Sequence, residues 1–321
     1  MVRAMTLRRL AARLAVILPI AALLYAPSPG WATPLLGPDL STFAVLGATP
    51  SVTNTGATTL TGDVGVSPAA SITGLIGITV NGTNGADGGN PFVHLNDATA
   101  ISAQGQLGIA RTNLGLMGPG TLLGVDLAGV ILAPSLVGLP PGLYTVPAGV
   151  SNLTGTLTLD GLGNANAGWV FQMPSTLITS SGSVVNVINT GTGAGVYWNV
   201  GSSAILGSTT SFEGNILALT DITLITGATI GCGRALADGA QVIMDTNTIN
   251  SIGCEGTGEE GSNGLSGGLT VPEGGGTPFF LPFVPVDDNG GVPVPEPSSF
   301  LLLLTTGLIG VAARMRRARR R

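Results

Sequence analysis

Between Leu40 and Cys254 the apolar residues come in short alternating bursts separated by Gly, Asn, Thr and Ser. Leu153-Thr-Gly-Thr-Leu-Thr-Leu159, Gly168-Trp-Val-Phe-Gln172, Gly195-Val-Tyr-Trp-Asn199 and Gln241-Val-Ile-Met244 are examples. Alternation of this kind predicts many short strands, and Gly or Asn supplies the left-handed backbone that tight corners need. An imperfect repeat runs through the second half. The pairs Leu177-Ile178, Ile205-Leu206 and Leu224-Ile225 each precede four or five small, mostly polar residues and then one more apolar residue, at offsets of 28 and 19. A recurring strand–corner–strand unit predicts stacked coils with one irregular insertion rather than a hairpin sandwich.

One segment departs from the β pattern. Ala100, Ala103, Leu107, Ala110, Leu114 and Met117 recur at alternating steps of three and four, the spacing of one helix face. The spacing predicts a helix over about 96–117, capped by Asn96 or Asp97 and ended by Gly118-Pro119-Gly120. Gly105, Gly108 and Gly115 weaken it by ~1 kcal/mol each relative to Ala, so packing must hold it. Residues 33–254 therefore form one mainly β domain with a helix alongside. Residues 255–293, rich in Gly, Glu and Pro, look like a linker, with Phe279, Phe280 and Phe283 as an apolar exception that either sticks to the open end of the solenoid or interrupts a stalk.

The two ends carry different patterns. Arg3, Arg8, Arg9 and Arg13 precede the apolar run Leu14–Leu24, and Gly30-Trp31-Ala32 places small residues where signal peptidase cuts. Residues 1–32 read as a signal peptide, because the run is too short for the ~20 residues a spanning helix needs. At the other end, Pro295-Glu296-Pro297 is followed by an apolar stretch from Phe300 to Ala313 and six arginines up to Arg321. A short hydrophobic span with a basic flank is a stop-transfer arrangement. The ordered trio over 294–321 resembles the PEP-CTERM sorting signal. That resemblance implies recognition by an exosortase, cleavage near Pro295, Glu296 and Pro297, and transient anchoring in the inner membrane before display outside the cell. A permanent single-span tail is the alternative.

Charge then narrows the partners. Ten of the 12 basic residues sit in those terminal signals, leaving Arg111 and Arg234, and there is no lysine. Sixteen of the 17 acids lie between Thr33 and Pro295, a formal charge of 2 − 16 = −14 there. Nucleic acid is excluded as a partner, since phosphate binding needs a basic footprint. The only cysteines, Cys232 and Cys254, are expected to form a disulfide in an exported chain. Candidate chemistry is sparse: one histidine, His94, read as a surface or capping residue, and acids scattered without close pairs. No nucleophile, zinc or phosphate-loop motif is present, so neither an enzyme, a cofactor nor a metal is expected.

Several ordered motifs carry a family resemblance. They are Phe43-Ala-Val-Leu-Gly47, Gly62-Asp-Val-Gly-Val-Ser-Pro68, the run Gly168–Ser183, Val196–Gly207, Phe212–Ala218 and Met244-Asp-Thr-Asn-Thr-Ile249. Together they resemble the ice-binding-protein-like family over about Leu40–Cys254. The resemblance implies a right-handed discontinuous β-solenoid, a triangular β-helix whose first and last coils are adjacent, with one long helix packed alongside. It also implies a flat Thr/Ser/Ala-rich face that orders water and binds ice. Thr-Gly-Ala-Thr occurs twice, as Thr55, Gly56, Ala57, Thr58 and as Thr226, Gly227, Ala228, Thr229, resembling a pattern of some members, and these eight are the candidate ice-binding residues. The competing expectation is a structural or adhesive role in the exopolysaccharide matrix, without ice activity.

Overall fold

The computed structural model describes residues 33–86, 88–254 and 262–286. The chain winds into a triangular solenoid whose three faces are built from parallel strands. On the first face the order is Thr121–Leu122, Gly142–Thr145, Gly168–Met173, Gly195–Val200, the second halves of Ser211–Ala218 and Thr229–Ala237, then Phe43–Gly47, Asp63–Val66 and Val93–Leu95. The coils are thus out of sequence order: the N-terminal strand Phe43–Gly47 stacks on Thr229–Ala237.

That order dictates what the helix must do. Val93–Leu95 lies at one end of the stack and Thr121–Leu122 at the other. Nine strands spaced ~4.8 Å apart span ~38 Å. The connecting helix Ala98–Leu116 covers ~28 Å of that at 1.5 Å per residue. It therefore returns the chain along the stack, and we call this side the helix face. Asp97 is the cap, its carboxylate accepting the Ala100 amide at 2.9 Å. Ala100, Ala103, Leu107, Ala110 and Leu114 are fully buried, as the three–four spacing predicts, and Met117 is partly buried beside them. They pack on Val170, Tyr197, Leu217, Leu236 and Leu46, which project outward from the sheet.

Inside the triangle, alternate residues of all three faces form one core. Its centre is an aromatic column through successive coils. Tyr144 stacks on Phe171 at 5.7 Å, Phe171 on Trp198 at 4.0 Å, and Trp198 tilts against Phe212 at 5.0 Å. Cys232 and Cys254 are joined as expected, both buried, with Cα atoms 5.4 Å apart.

The linker reading of 255–293 needs correction where the chain is described. Residues 262–286 lie back on the solenoid: Leu269–Val271 pairs antiparallel with Thr33–Pro34 and with Phe279–Phe280. Leu265, Leu269 and Val271 are buried, and Phe280 packs on the helix-face cluster, whereas Phe279 and Phe283 stay exposed. Arg234 holds this segment down, donating to the carbonyls of Asn263 and Gly264 from a fully buried position. The signal peptide, the whole sorting signal and the rest of the linker lie outside the described residues.

Candidate functional site

Among the described residues, the grooves gather no set of reactive side chains. One groove, of about 760 Å³, runs between the N-terminal segment, the helix and Leu269–Val271, and no ionisable side chain lines it. A second, of about 450 Å³, contains only Arg111. That guanidinium is committed to Asp238 at 2.8 Å and to the carbonyls of Leu217 and Val200, which fasten the helix to the sheet. Arg234 is enclosed by backbone carbonyls and Asn215. His94, expected at the surface or at a cap, is half-buried beside the helix cap Asp97. Its ring lies against Phe43 and between two carboxylates, Asp63 at 3.6 Å and Asp97 at 2.8 Å. The hydrogen bond it donates to Asp63 raises its pKa above 6.5, against the opposing effect of burial, and Asp97 adds to the rise. This group locks the helix start to the sheet. Among the described residues, no three His, Cys, Asp or Glu side chains are grouped to hold a metal.

The remaining candidates are the two solenoid faces that the helix leaves uncovered. One carries the short strands Leu177–Thr179, Ala204–Leu206, Ile222–Leu224, Val242–Asp245, Val52–Thr55 and Ile72–Thr73, six rungs in unbroken parallel register. Its inward residues Leu177, Ala204, Ile222, Val242 and Val52 are buried. Its central outward column is Ile178, Ile205, Thr223, Ile243, Thr53 and Thr73, so every rung presents a methyl group and three present a hydroxyl as well. Main-chain bonds from Leu177 to Ser203, Ala204 to Asp221 and Ile222 to Gln241 carry the register one residue further. Thr176, Ser203, Asp221, Gln241 and Ser51 therefore form a flanking column. Ser180, Gly207, Ile225, Asp245 and Thr55 form the other. With rungs ~4.8 Å apart and outward residues ~6.7 Å apart along a strand, the grid measures ~24 by 13 Å.

The other open face has a ladder of Thr156, Val184, Ser211, Thr229, Thr248, Thr59 and Thr79. The register shifts immediately beyond it, between Phe212 and Glu213, where Gly231 is extra on the partner strand. Its second outward column is therefore broken. One face offers a plane and the other a line.

The sequence candidates fall at the corner between these faces. Thr55 is exposed at the rim of the short-strand face, and Gly56 turns the corner at φ 78°. Thr58 is buried, its hydroxyl donating to Asn54 Oδ1 at 2.7 Å, and Ala228 is fully buried. Neither can meet a ligand, which corrects the expectation for those two. Thr226 is exposed but donates to Asp245, Gly227 makes the turn at φ 72°, and Thr229 belongs to the other face. Nor are the two motifs equivalent, since Leu224 and Asn54 share a column through Met244. Thr226 thus aligns with Gly56 and not with Thr55. The sequence reading missed Ile178, Ile205, Thr223, Ile243, Thr53 and Thr73, because an outward isoleucine is indistinguishable from a core residue until the register is known.

A family model described as ice-binding-like matches residues 46–250. The chain belongs to that family. A PEP-CTERM protein-sorting motif matches residues 293–317. The chain is 43% identical to an ice-binding protein of Nostoc sp. over 66% of this chain and 72% of the relative. It is 33% identical to an ice-binding protein of Flavobacterium frigoris over 64% of this chain and 72% of that one. Among solved structures, the ice-binding protein of the Antarctic ascomycete Antarctomyces psychrotrophicus superposes with a TM-score of 0.55 at 32% identity, covering 68% of this chain and 98% of its own. An ice-binding protein from an Antarctic biological consortium gives 0.56 at 37% identity, covering 68% and 91%. Membership agrees with the discontinuous stack and single helix, and the sorting motif points to export with a C-terminal anchor.

Proposed function

We propose that this protein binds ice through the short-strand face and so restrains ice growth and recrystallisation outside the cell. The observation that carries the reading is the unbroken six-rung register, which makes three parallel outward columns into one rigid plate. Water over the methyl groups of Ile178, Ile205 and Ile243 is ordered by apolar hydration. The hydroxyls of Thr223, Thr53 and Thr73 fix such a layer in place, so it merges with a crystal surface. Many weak contacts then add, because the plate is already ordered and loses little conformational entropy on binding. Binding, not turnover, is the activity. The −14 charge of the exported part suits a soluble surface protein and repels anionic partners.

Export through residues 1–32, exosortase processing near Pro295–Pro297 and display at the surface complete the proposal. An adhesive role in exopolysaccharide has no observation of its own in its favour. The test is recrystallisation of a polycrystalline ice film with the chain from residue 33 onward at micromolar concentration. Grain sizes that stay small support the reading. Coarsening at the rate of a control albumin solution overturns it.

A further inference from the structure

The two ends of the solenoid are unlike, and the difference is placed where the membrane tether leaves. Residues 121–139 form the terminal coil, stacked under the next through Leu123 to Thr145, Leu127 to Asn152 and Leu139 to Thr158. Leu123, Leu127 and Leu139 close the core from that end. The same coil exposes Leu122, Val125, Ile131, Leu132 and Val137, and Val150 beside them is 96% exposed. Exposed aliphatic groups concentrated at one end of a solenoid mark a candidate interaction surface. Between Pro119 and Val150 the only charged residue is Asp126. Its carboxylate is tied locally, accepting from the amides of Ala128 and Thr154 at 3.0 and 3.1 Å. At the opposite end the segment Asn81–Asn90 is made of Asn, Gly, Thr, Asp and one Ala, and only Ile76 and Leu95 are exposed large aliphatics nearby.

The chain exits at the apolar end. Val286 donates to Gly163, and Val284 accepts from Ala165, one coil above the terminal one, next to the exposed Leu162 and Phe283. Thirteen residues separate Val286 from Phe300, where the apolar stretch of the sorting signal opens. A random coil of that length spans roughly 20 Å on average. The stack is ~38 Å long. The tether thus holds the apolar end nearest the bilayer.

We infer that the terminal coil of residues 121–139, with Val150, is a lipid-docking surface that seats the anchored protein end-on against a neutral bilayer. The solenoid axis then stands away from the membrane, and all three faces, the short-strand face included, stay in water. Aliphatic side chains without basic neighbours suit a zwitterionic surface and gain nothing from anionic lipid. This inference concerns the chain before exosortase processing, while the C-terminal segment still anchors it, and it rests on that anchor and not on ice binding.

The test uses the chain from residue 33 to 321 in phosphatidylcholine vesicles containing brominated lipid, which quenches tryptophan on contact. The native Trp169 and Trp198 are buried and give a low background. A tryptophan is introduced at the 69%-exposed site as V137W, or at the far end as I76W, where exposure is 77%. Quenching several-fold greater in V137W than in I76W, independent of protein density, is the expected result. Equal quenching overturns end-on docking. Shielding of V137W that grows with protein density and ignores bromolipid assigns the surface to a second copy of the chain and also overturns it. Failure of the chain to sediment with vesicles removes the anchor itself, a separate outcome that takes the inference with it.

Discussion

Replacing Arg234 by methionine tests how the closing segment is held. The guanidinium is fully buried and has no carboxylate partner among the described residues. It donates to Asn215 Oδ1 at 2.8 Å and to the carbonyls of Ser41 at 2.7 Å, Ser251 at 3.1 Å, Gly264 at 3.1 Å and Asn263 at 3.3 Å. Burial lowers its pKa to about 10, with the neighbouring Tyr197 opposing the shift, so it is charged at neutral pH. Arg234→Met fills the volume but orphans five acceptors, at ~1–3 kcal/mol for each that water cannot reach. Removing a buried charge returns several kcal/mol of desolvation, so the net loss is about 4 kcal/mol. For a domain of this size that lowers Tm by roughly 8–16 °C. The assay is thermal unfolding followed by circular dichroism, with hydrogen exchange resolving where protection is lost. Residues 263–271 and 33–41 should lose protection before the aromatic column does. A variant within ~1 kcal/mol of the parent, with residues 263–271 as protected as before, refutes the reasoning.

Other consequences follow from the same contacts. Gly105 and Gly115 sit on the exposed side of the helix with nothing within 4 Å of an added Cβ. Gly105→Ala with Gly115→Ala should therefore stabilise by ~1–2 kcal/mol in denaturant titration. Cys232→Ala with Cys254→Ala releases the loop between positions 22 residues apart. It should cost about 3 kcal/mol, read the same way under non-reducing conditions. His94 has a raised folded pKa, so its contribution to stability is full below its ordinary value of 6.5 and is lost as pH rises through the folded value. Comparing the parent with His94→Gln from acid to alkaline pH should show an advantage that shrinks upward from neutrality, whereas an advantage that grows with pH contradicts the sign.

Much of this architecture could be read from residue order, and the failures have a common physical origin. The helix face from Ala100 to Met117 was legible because a 3.6-residue period over five turns has no competing alignment. The stacking of coils was visible in the apolar pairs, but their register was not. Leu177 neighbours Ala204 and Ile222, whereas matching apolar pairs sets it beside Ile205 and Leu224. In a strand a slip of one residue exchanges inside for outside. Corners hide the slip, because four residues separate Leu224 from Thr229 but only three separate Met244 from Thr248. The candidate face inherited that error, and the functional weight moved from Thr58 and Ala228 to Thr53, Thr223 and the outward isoleucines. Residues 262–286 escaped notice for a different reason. Their hold on the solenoid comes from Leu265, Leu269, Val271 and the Arg234 clamp, too few apolar positions to give a period.

The account stands or falls on which surface meets ice. Thr53→Tyr combined with Ile243→Tyr puts two rings on adjacent rungs of the short-strand face, holding the plate away from a flat crystal without touching the core. Thr59→Tyr places a ring on the ladder of the other open face. Thermal hysteresis and recrystallisation endpoints of the two variants, both checked for parental unfolding temperature, decide the matter. The first should lose activity by on the order of tenfold, equivalent to ~1.4 kcal/mol of contact, and the second should keep it. Activity retained by the first and lost by the second would contradict the assignment.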